Sequence, residues 1–226
     1  MKQFLIKLAF CCGCLSFGVV SAMNVHTSAA SSVQETQALH EIIGLMGDER
    51  IEEEVIVEAI NSYLDNGFNI NAQYGSLKNT LLHIAVYTAH HNVARFLIGK
   101  GINVNIISKT KDTALHFVAG SRDADLVRLL IEKQEDIDLK DGDGCTAIYN
   151  AAYQLGSYEI QISKDIIKTL LDNGADPTIK RILGLHNPMN AIDIAEIRKA
   201  QAKERGEDVS QYQEVIDLMQ SYVPQQ

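Results

Sequence analysis

The residues best equipped for chemistry are His83, His116, the adjacent pair His90-His91, and Cys145. Imidazoles ligate zinc and carry protons, and a thiol beside an imidazole can act as a nucleophile with its base. Each of these uses imposes a pattern. A zinc site gathers its ligands through spacings such as HExxH or paired CxxC. Neither occurs, and no Cys or carboxylate recurs at ligand spacing around the histidines. Cys145 and His116 are conceivable as nucleophile and base, but Cys145 directly precedes Thr146 in a turn-forming stretch. Nothing near it in sequence would lower a thiol pKa, so it reads as a lone surface thiol. Glycine-rich phosphate loops and a Gly-x-Ser-x-Gly elbow are missing. The acidic run Glu52-Glu53-Glu54 fits the first turn of a helix, where negative side chains favour the helix dipole. These patterns predict no catalytic residue, no metal and no cofactor.

His83 and His116 instead mark a period. TLLHIA begins at Thr80, TALHFV at Thr113 and TAIYNA at Thr146, 33 residues apart each time. A second phrase follows each: NVARFLIGKGINVN at 92–105, DLVRLLIEKQEDID at 125–138 and DIIKTLLDNGADPT at 165–178. A fainter copy, EAINSYLDNGFNIN, occupies 58–71, while NAIDIA at 190–195 and VIDLM at 215–219 come last, which makes about five units. Within a unit the apolar spacing fits two short helices. Leu115, Val118 and Ala119 fall on one face, and Leu126, Leu129 and Leu130 on another. Helices this short cannot bury their stripes alone, so neighbouring units must stack. Segments such as Asp141-Gly142-Asp143-Gly144 between units predict tight turns.

This pattern resembles the ankyrin family, whose 33-residue unit is a turn plus two antiparallel helices with a Thr-Pro-Leu-His-x-Ala signature. The resemblance covers roughly 58–219 and implies an all-α solenoid of about five helix-turn-helix units with β-turn hairpin tips. Capping helices are expected at 33–57, and repeats at about 58–79, 80–112, 113–145, 146–189 and 190–226. The signature proline is replaced by Leu81, Ala114, Ala147 and Ala191, and Gln134-Glu135-Asp136 stands where Gly-Ala-Asp is usual, which leaves one helix end open. By resemblance, Thr80, His83, Thr113, His116, Thr146, Gly174 and Asp193 are structural, with the motif histidines bonding the backbone of the turns; Tyr149 and Asp193 take the histidine slot in later units. The same resemblance implies a protein partner at the hairpin tips and the exposed faces of the first helices. Those slots hold Ser76, Leu77, Asn79, Tyr87, Thr88, Lys109, Thr110, Asp112, Ser121, Asp143, Cys145, Tyr153 and Gln154, with Tyr74 nearby. The third unit runs 44 residues from Thr146 to Asn190, and its extra residues near 153–164 and 181–189 are expected to form surface loops. A similar stretch lies around 199–208.

The start of the chain has a different grammar. Lys2 and Lys7 precede an almost uncharged apolar run from Leu8 to Val20, and Val20-Ser21-Ala22 supplies small residues for a signal peptidase. The expected reading is a signal peptide at 1–22, with Ala29 or Ala30 as other cleavage points and a flexible lead-in at 23–32. An uncleaved anchor and lipidation at Cys11, Cys12 or Cys14 are the other readings, although the apolar run is shorter than the roughly 20 residues a bilayer core demands. Cleavage would leave Cys145 as the one cysteine, so no intramolecular disulfide is expected. Lys plus Arg is 20 against 29 Asp plus Glu, a formal charge of -9, and no basic stripe matches a phosphate backbone, so nucleic acid is not an expected partner. Together these readings give a monomeric, non-enzymatic adaptor, scaffold or inhibitor, exported to the periplasm or secreted. A host-directed effector is one alternative, and an enzyme with its site in the insertions 153–164 or 197–211 is another.

Overall fold

The computed structural model describes residues 28–133, 136–156, 159–181 and 188–224. The chain divides into two compact units, Met1–Gln34 and Glu35–Gln226. The signal peptide expected at 1–22 lies outside the described residues, as does the lead-in up to residue 27. Of the first unit, only the opening turns of helix α1 (Ser28–Met46) are described. That helix corrects the expectation of a flexible stretch through residue 32: Ser-Ala-Ala-Ser-Ser contains neither Gly nor Pro, and Ala is the strongest helix former.

The second unit is entirely helical among its described residues, apart from two isolated bridges. After α1 come α2 (Glu53–Asp65), α3 (Leu81–Tyr87), α4 (His91–Gly99), α5 (Ala114–Ala119), α6 (Ala124–Ile131), α7 (Ala147–Tyr153), α8 (Ile160–Asp172), α9 (Ala191–Glu204) and α10 (Ser210–Ser221). Each first helix packs on its own second helix, α3 on α4 through α9 on α10. First helices also pack side by side, α3 on α5, α5 on α7 and α7 on α9, while α2 meets α4, α6 meets α8 and α8 meets α10. The result is a two-layered solenoid, as the 33-residue period predicts. No described helix is long and apolar enough to cross a membrane.

The repeated threonine starts the first helix of each unit. Thr80, Thr113 and Thr146 hold extended N-cap geometry, and Asn190 takes the same place in the last unit. Thr146 Oγ1 accepts from the Tyr149 amide at 3.4 Å. Asn190 and Asp193 close a reciprocal box, each side chain accepting from the other's amide at 2.9 Å. Gly174, at φ 93°, follows α8 in the left-handed region that reverses the chain.

Burial follows the predicted stripes with one correction. Leu115, Val118, Ala119, Leu126 and Leu130 are fully buried, but Leu129 is only partly so, and Val127 fills the core in its place. On the short helix α6, held between α5 and α8, the stripe centres on 126, 127 and 130 and leaves 129 at its edge. At the N-terminal end, Leu39, Ile42 and Met46 of α1 cover the stack. There Tyr63 donates to the Glu35 carboxylate at 2.9 Å, and the Asn69 amide donates to the same oxygen at 2.8 Å.

The insertions are corrected in part, because residues 160–164 and 199–204 lengthen helices. α8 spans 13 residues against 8 in α6; Ser163 is buried and Ile160 and Ile162 pack on the core. The stretch at 199–208 continues α9 as far as Glu204, with Ala202 buried. Its Ala, Gln, Lys and Glu residues are good helix formers, so elongation costs little. Arg181 and Met189 exchange paired backbone bonds; residues 182–187, where the remaining insertion was expected, are outside the described set.

Candidate interaction surface

Three turns between units form a row of hairpins. Tyr74 pairs with Asn79, Ser108 donates to the Asp112 carbonyl at 2.9 Å, and Asp141 donates to the Cys145 carbonyl at 2.9 Å. Neighbouring tips are tied together through backbone: Lys109 donates to the Leu77 carbonyl at 2.7 Å, and Gly142 to the Thr110 carbonyl at 2.6 Å. A Cβ at Gly142 would stand 2.7 Å from that same carbonyl oxygen, so a glycine is needed for this approach.

The histidines hold this row in place. His83 Nδ1 accepts from the Thr80 amide at 3.2 Å, and its Nε2 faces the Asp112 carbonyl oxygen at 3.1 Å. His116 repeats the arrangement with the Thr113 amide at 3.1 Å and the Leu139 carbonyl at 3.0 Å. An amide only donates and a carbonyl only accepts, so both rings are neutral with the proton on Nε2. Burial lowers the pKa of His83, in keeping with that form. Both nitrogens are therefore engaged, and neither ring offers a lone pair to a metal or substrate. In the third unit Tyr149 fills the slot, buried, with the Arg181 guanidinium 5.8 Å from its ring centre. His90 pairs with Thr88 Oγ1 at 2.9 Å, and His91 with Asp123 at 3.0 Å. Asp123 also binds Arg95 at 2.6 Å and caps α6 through the Leu126 amide at 2.8 Å. Burial raises its pKa, but the Leu126 amide and Arg95 outweigh this and leave it lowered. Among the described residues no three His, Cys, Asp or Glu side chains converge as metal ligands.

The C-terminal ends of α3, α5 and α7 enclose a groove of about 620 Å³ whose walls include Tyr87, Phe117, Ser121, Arg122, Asn150, Tyr153 and Gln154. None of these three helices contains an Asp, Glu, Lys or Arg. Tyr87 is 76% exposed and Tyr153 50%. The Tyr87 ring stands edge-on to Phe117, and Arg198 lies 4.2 Å from the Tyr153 ring centre while donating to the Tyr153 carbonyl at 2.7 Å. Both rings are thereby held before any ligand arrives.

Of the residues expected to face a partner, Tyr87, Ser121, Tyr153 and Gln154 line this groove. Ser76, Leu77, Lys109, Thr110 and Asp143 are exposed on the tips. Asn79 and Asp112 are half-buried in their turns, and Thr88 donates its hydroxyl to the Ile84 carbonyl at 2.8 Å. Tyr74, half-buried, bonds His40. Cys145 is corrected: it is 6% exposed, and burial together with the nearby Asp141 charge pushes its thiol up to about 12. The residue after the turn glycine points into the stack of tips, so this thiol is neither a surface group nor a ready nucleophile. Sequence reasoning missed Phe117 and Asn150, although a signal was present: they share one repeat position, 33 residues apart, directly after the histidine slot.

A family model described as ankyrin repeats (3 copies) matches residues 82–181, and another, ankyrin repeats (many copies), matches residues 57–98. Residues 57–181 of the chain are ankyrin repeats. The chain is 31% identical over 117 residues to a putative ankyrin repeat protein of Rickettsia felis, covering 48% of this chain and 51% of the relative. It is 34% identical over 84 residues to the nuclear factor NF-kappa-B p105 subunit of Gallus gallus, covering 36% of this chain and 8% of that one. Against the human B-cell lymphoma 3 protein the figures are 27% over 121 residues, 52% and 25%. The chain thus spans about half, or less, of the length of these relatives. Ankyrin repeats suggest a protein–protein interaction module.

Proposed function

We propose that this protein is a monomeric, non-enzymatic adaptor or inhibitor that holds a protein partner in the groove along α3, α5 and α7, outside the cytoplasm. The observation that carries this reading is the groove itself: an uncharged helical wall with two exposed tyrosines fixed by Phe117 and Arg198. Tyrosines combine large contact area with few rotors, and rings already fixed lose little entropy on binding. The motif histidines His83 and His116 are engaged by the backbone, and residues 160–164 and 197–204 of the insertions considered for an enzyme site lie in helices. Export is supported by Lys2, Lys7, the apolar run to Val20 and the small residues ending at Ala22.

The test has two arms. N-terminal sequencing of the protein from its own cell is expected to begin at Met23, in a fraction outside the cytosol; an intact Met1 in the cytosol contradicts export. Affinity capture with the full chain, against the producer's envelope and against host extract, is expected to enrich a protein that is lost when Tyr87 and Tyr153 are both changed to Ala. Enrichment from host extract supports the effector version of the role. Binding indifferent to both tyrosines contradicts the groove.

A further inference from the structure

The hairpin row carries a feature that stacking alone does not demand. Lys78 and Lys111 occupy the same position of successive tips, and both adopt left-handed backbone, at φ 56° and 62°. The next tip has Gly144 there, at φ 77°. Glycine takes this conformation without strain, whereas a residue with a Cβ does not. Two units nevertheless place a lysine in it, and strain retained at a surface points to use of the side chain. Lys109 stands on the second tip beside them. All three are exposed, and none has a hydrogen bond or ion pair through its ammonium group among the described residues. Two acids of the second and third tips are held by their own turns, Asp112 accepting from Ser108 and Thr110 and Asp141 from the amides of Asp143 and Cys145, while Asp143 is exposed on the third tip. Leu77 and Ile107 lie on the same tips, about half exposed. In a chain of net charge -9 this is a local cationic strip with apolar residues set into it.

From this geometry we infer that the first two hairpin tips receive an acidic segment of the protein partner, one that alternates carboxylates with apolar side chains. The carboxylates meet Lys78, Lys109 and Lys111, and the apolar residues meet Leu77 and Ile107. The backbone bond from Lys109 to Leu77 fixes the separation of the two tips, so the cations are presented on a rigid frame. Charges of this kind at a rim steer encounter and select the partner more than they add affinity. The inference rests on the proposed binding role and names the chemistry of the partner.

The test uses the full chain and a fluorescein-labelled peptide of repeating Asp-Leu-Glu, read by anisotropy. Saturable binding that weakens with salt is expected. It should fall about tenfold in a variant carrying Lys78→Gln, Lys109→Gln and Lys111→Gln, from three exposed charge pairs of modest worth each. Restoration by arginine at the three positions, and no effect of Lys133→Gln with Lys203→Gln, complete the expected result. Lys78→Gly with Lys111→Gly, which removes two of the three charges, should weaken binding about fivefold and melt at a higher temperature, which separates lost charge from lost fold. No binding, equal binding of the Asn-Leu-Gln peptide, or equal binding of an oligothymidine of the same charge overturns the inference. In affinity capture, loss of the partner with the tyrosine variant but not with the lysine variant also overturns it while leaving the groove intact.

Discussion

Replacing His83 by Ala removes a tie between two repeats. The ring accepts from the Thr80 amide and donates to the Asp112 carbonyl, 29 residues on, and it packs edge-on to Phe117 with ring centres 6.1 Å apart. Each backbone group that loses its partner costs about 1–1.5 kcal/mol, and the space left by a buried ring adds to that, for a total of about 2–4 kcal/mol. In an ordered chain of this size, that lowers the melting temperature by about 5–12 °C. The loss should depend on pH in a stated direction. Burial lowers the folded pKa of His83, so the unfolded chain binds the extra proton. The contribution of neutral His83 is complete above the unfolded value of about 6.5 and is lost as pH falls below it toward the folded value. Urea unfolding followed by circular dichroism from pH 7.5 to 5.5 should show the largest gap between the natural chain and the variant at the upper end, narrowing on acidification. A gap under about 0.5 kcal/mol, the size of an ordinary surface substitution, refutes the tie; one that widens as pH falls refutes the neutral tautomer.

Three further outcomes can be measured with the same preparation. Leu126→Ala, at a fully buried site, should cost about 2–5 kcal/mol, whereas Leu129→Ala should cost less than half of that loss, and equal losses in urea would contradict the assigned face. Lys111→Gly should stabilise the fold by about 1 kcal/mol by relieving left-handed backbone; a destabilised variant would show that the lysine stem has a packing role. Cys145, buried and with its thiol pushed up to about 12, should resist iodoacetamide at pH 8 in the folded chain and react once urea unfolds it. Rapid labelling of native protein would contradict its burial.

Much of the fold was legible because the repeat writes it twice, once in helix stripes and once in turns. Thr80, Thr113 and Thr146 announce helix starts by chemistry that acts within four residues, so sequence reading suffices there. The insertions were partly misread because repeat alignment shows where residues are added and not whether they extend a helix; Ala202 and Ser163 are buried by neighbours that alignment does not reveal. Cys145 was misplaced for a related reason: its burial comes from adjacent tips, a contact between units. The groove was half visible. Tyr87 and Tyr153 were expected from the family's exposed positions, while Phe117 and Asn150 enter through the register of α3, α5 and α7 against one another.

The account turns on the groove along α3, α5 and α7 as the place where a partner binds, and site-specific photocrosslinking tests that directly. A photoreactive phenylalanine analogue is placed at Tyr87, at Tyr153, and as a control at Asp125 on the second-helix layer, and the full chain is irradiated in its own compartment. Adducts of one protein from positions 87 and 153, and none from 125, are the predicted result. An adduct from 125 alone, or none from either tyrosine position while the chain still captures its partner, would contradict the account.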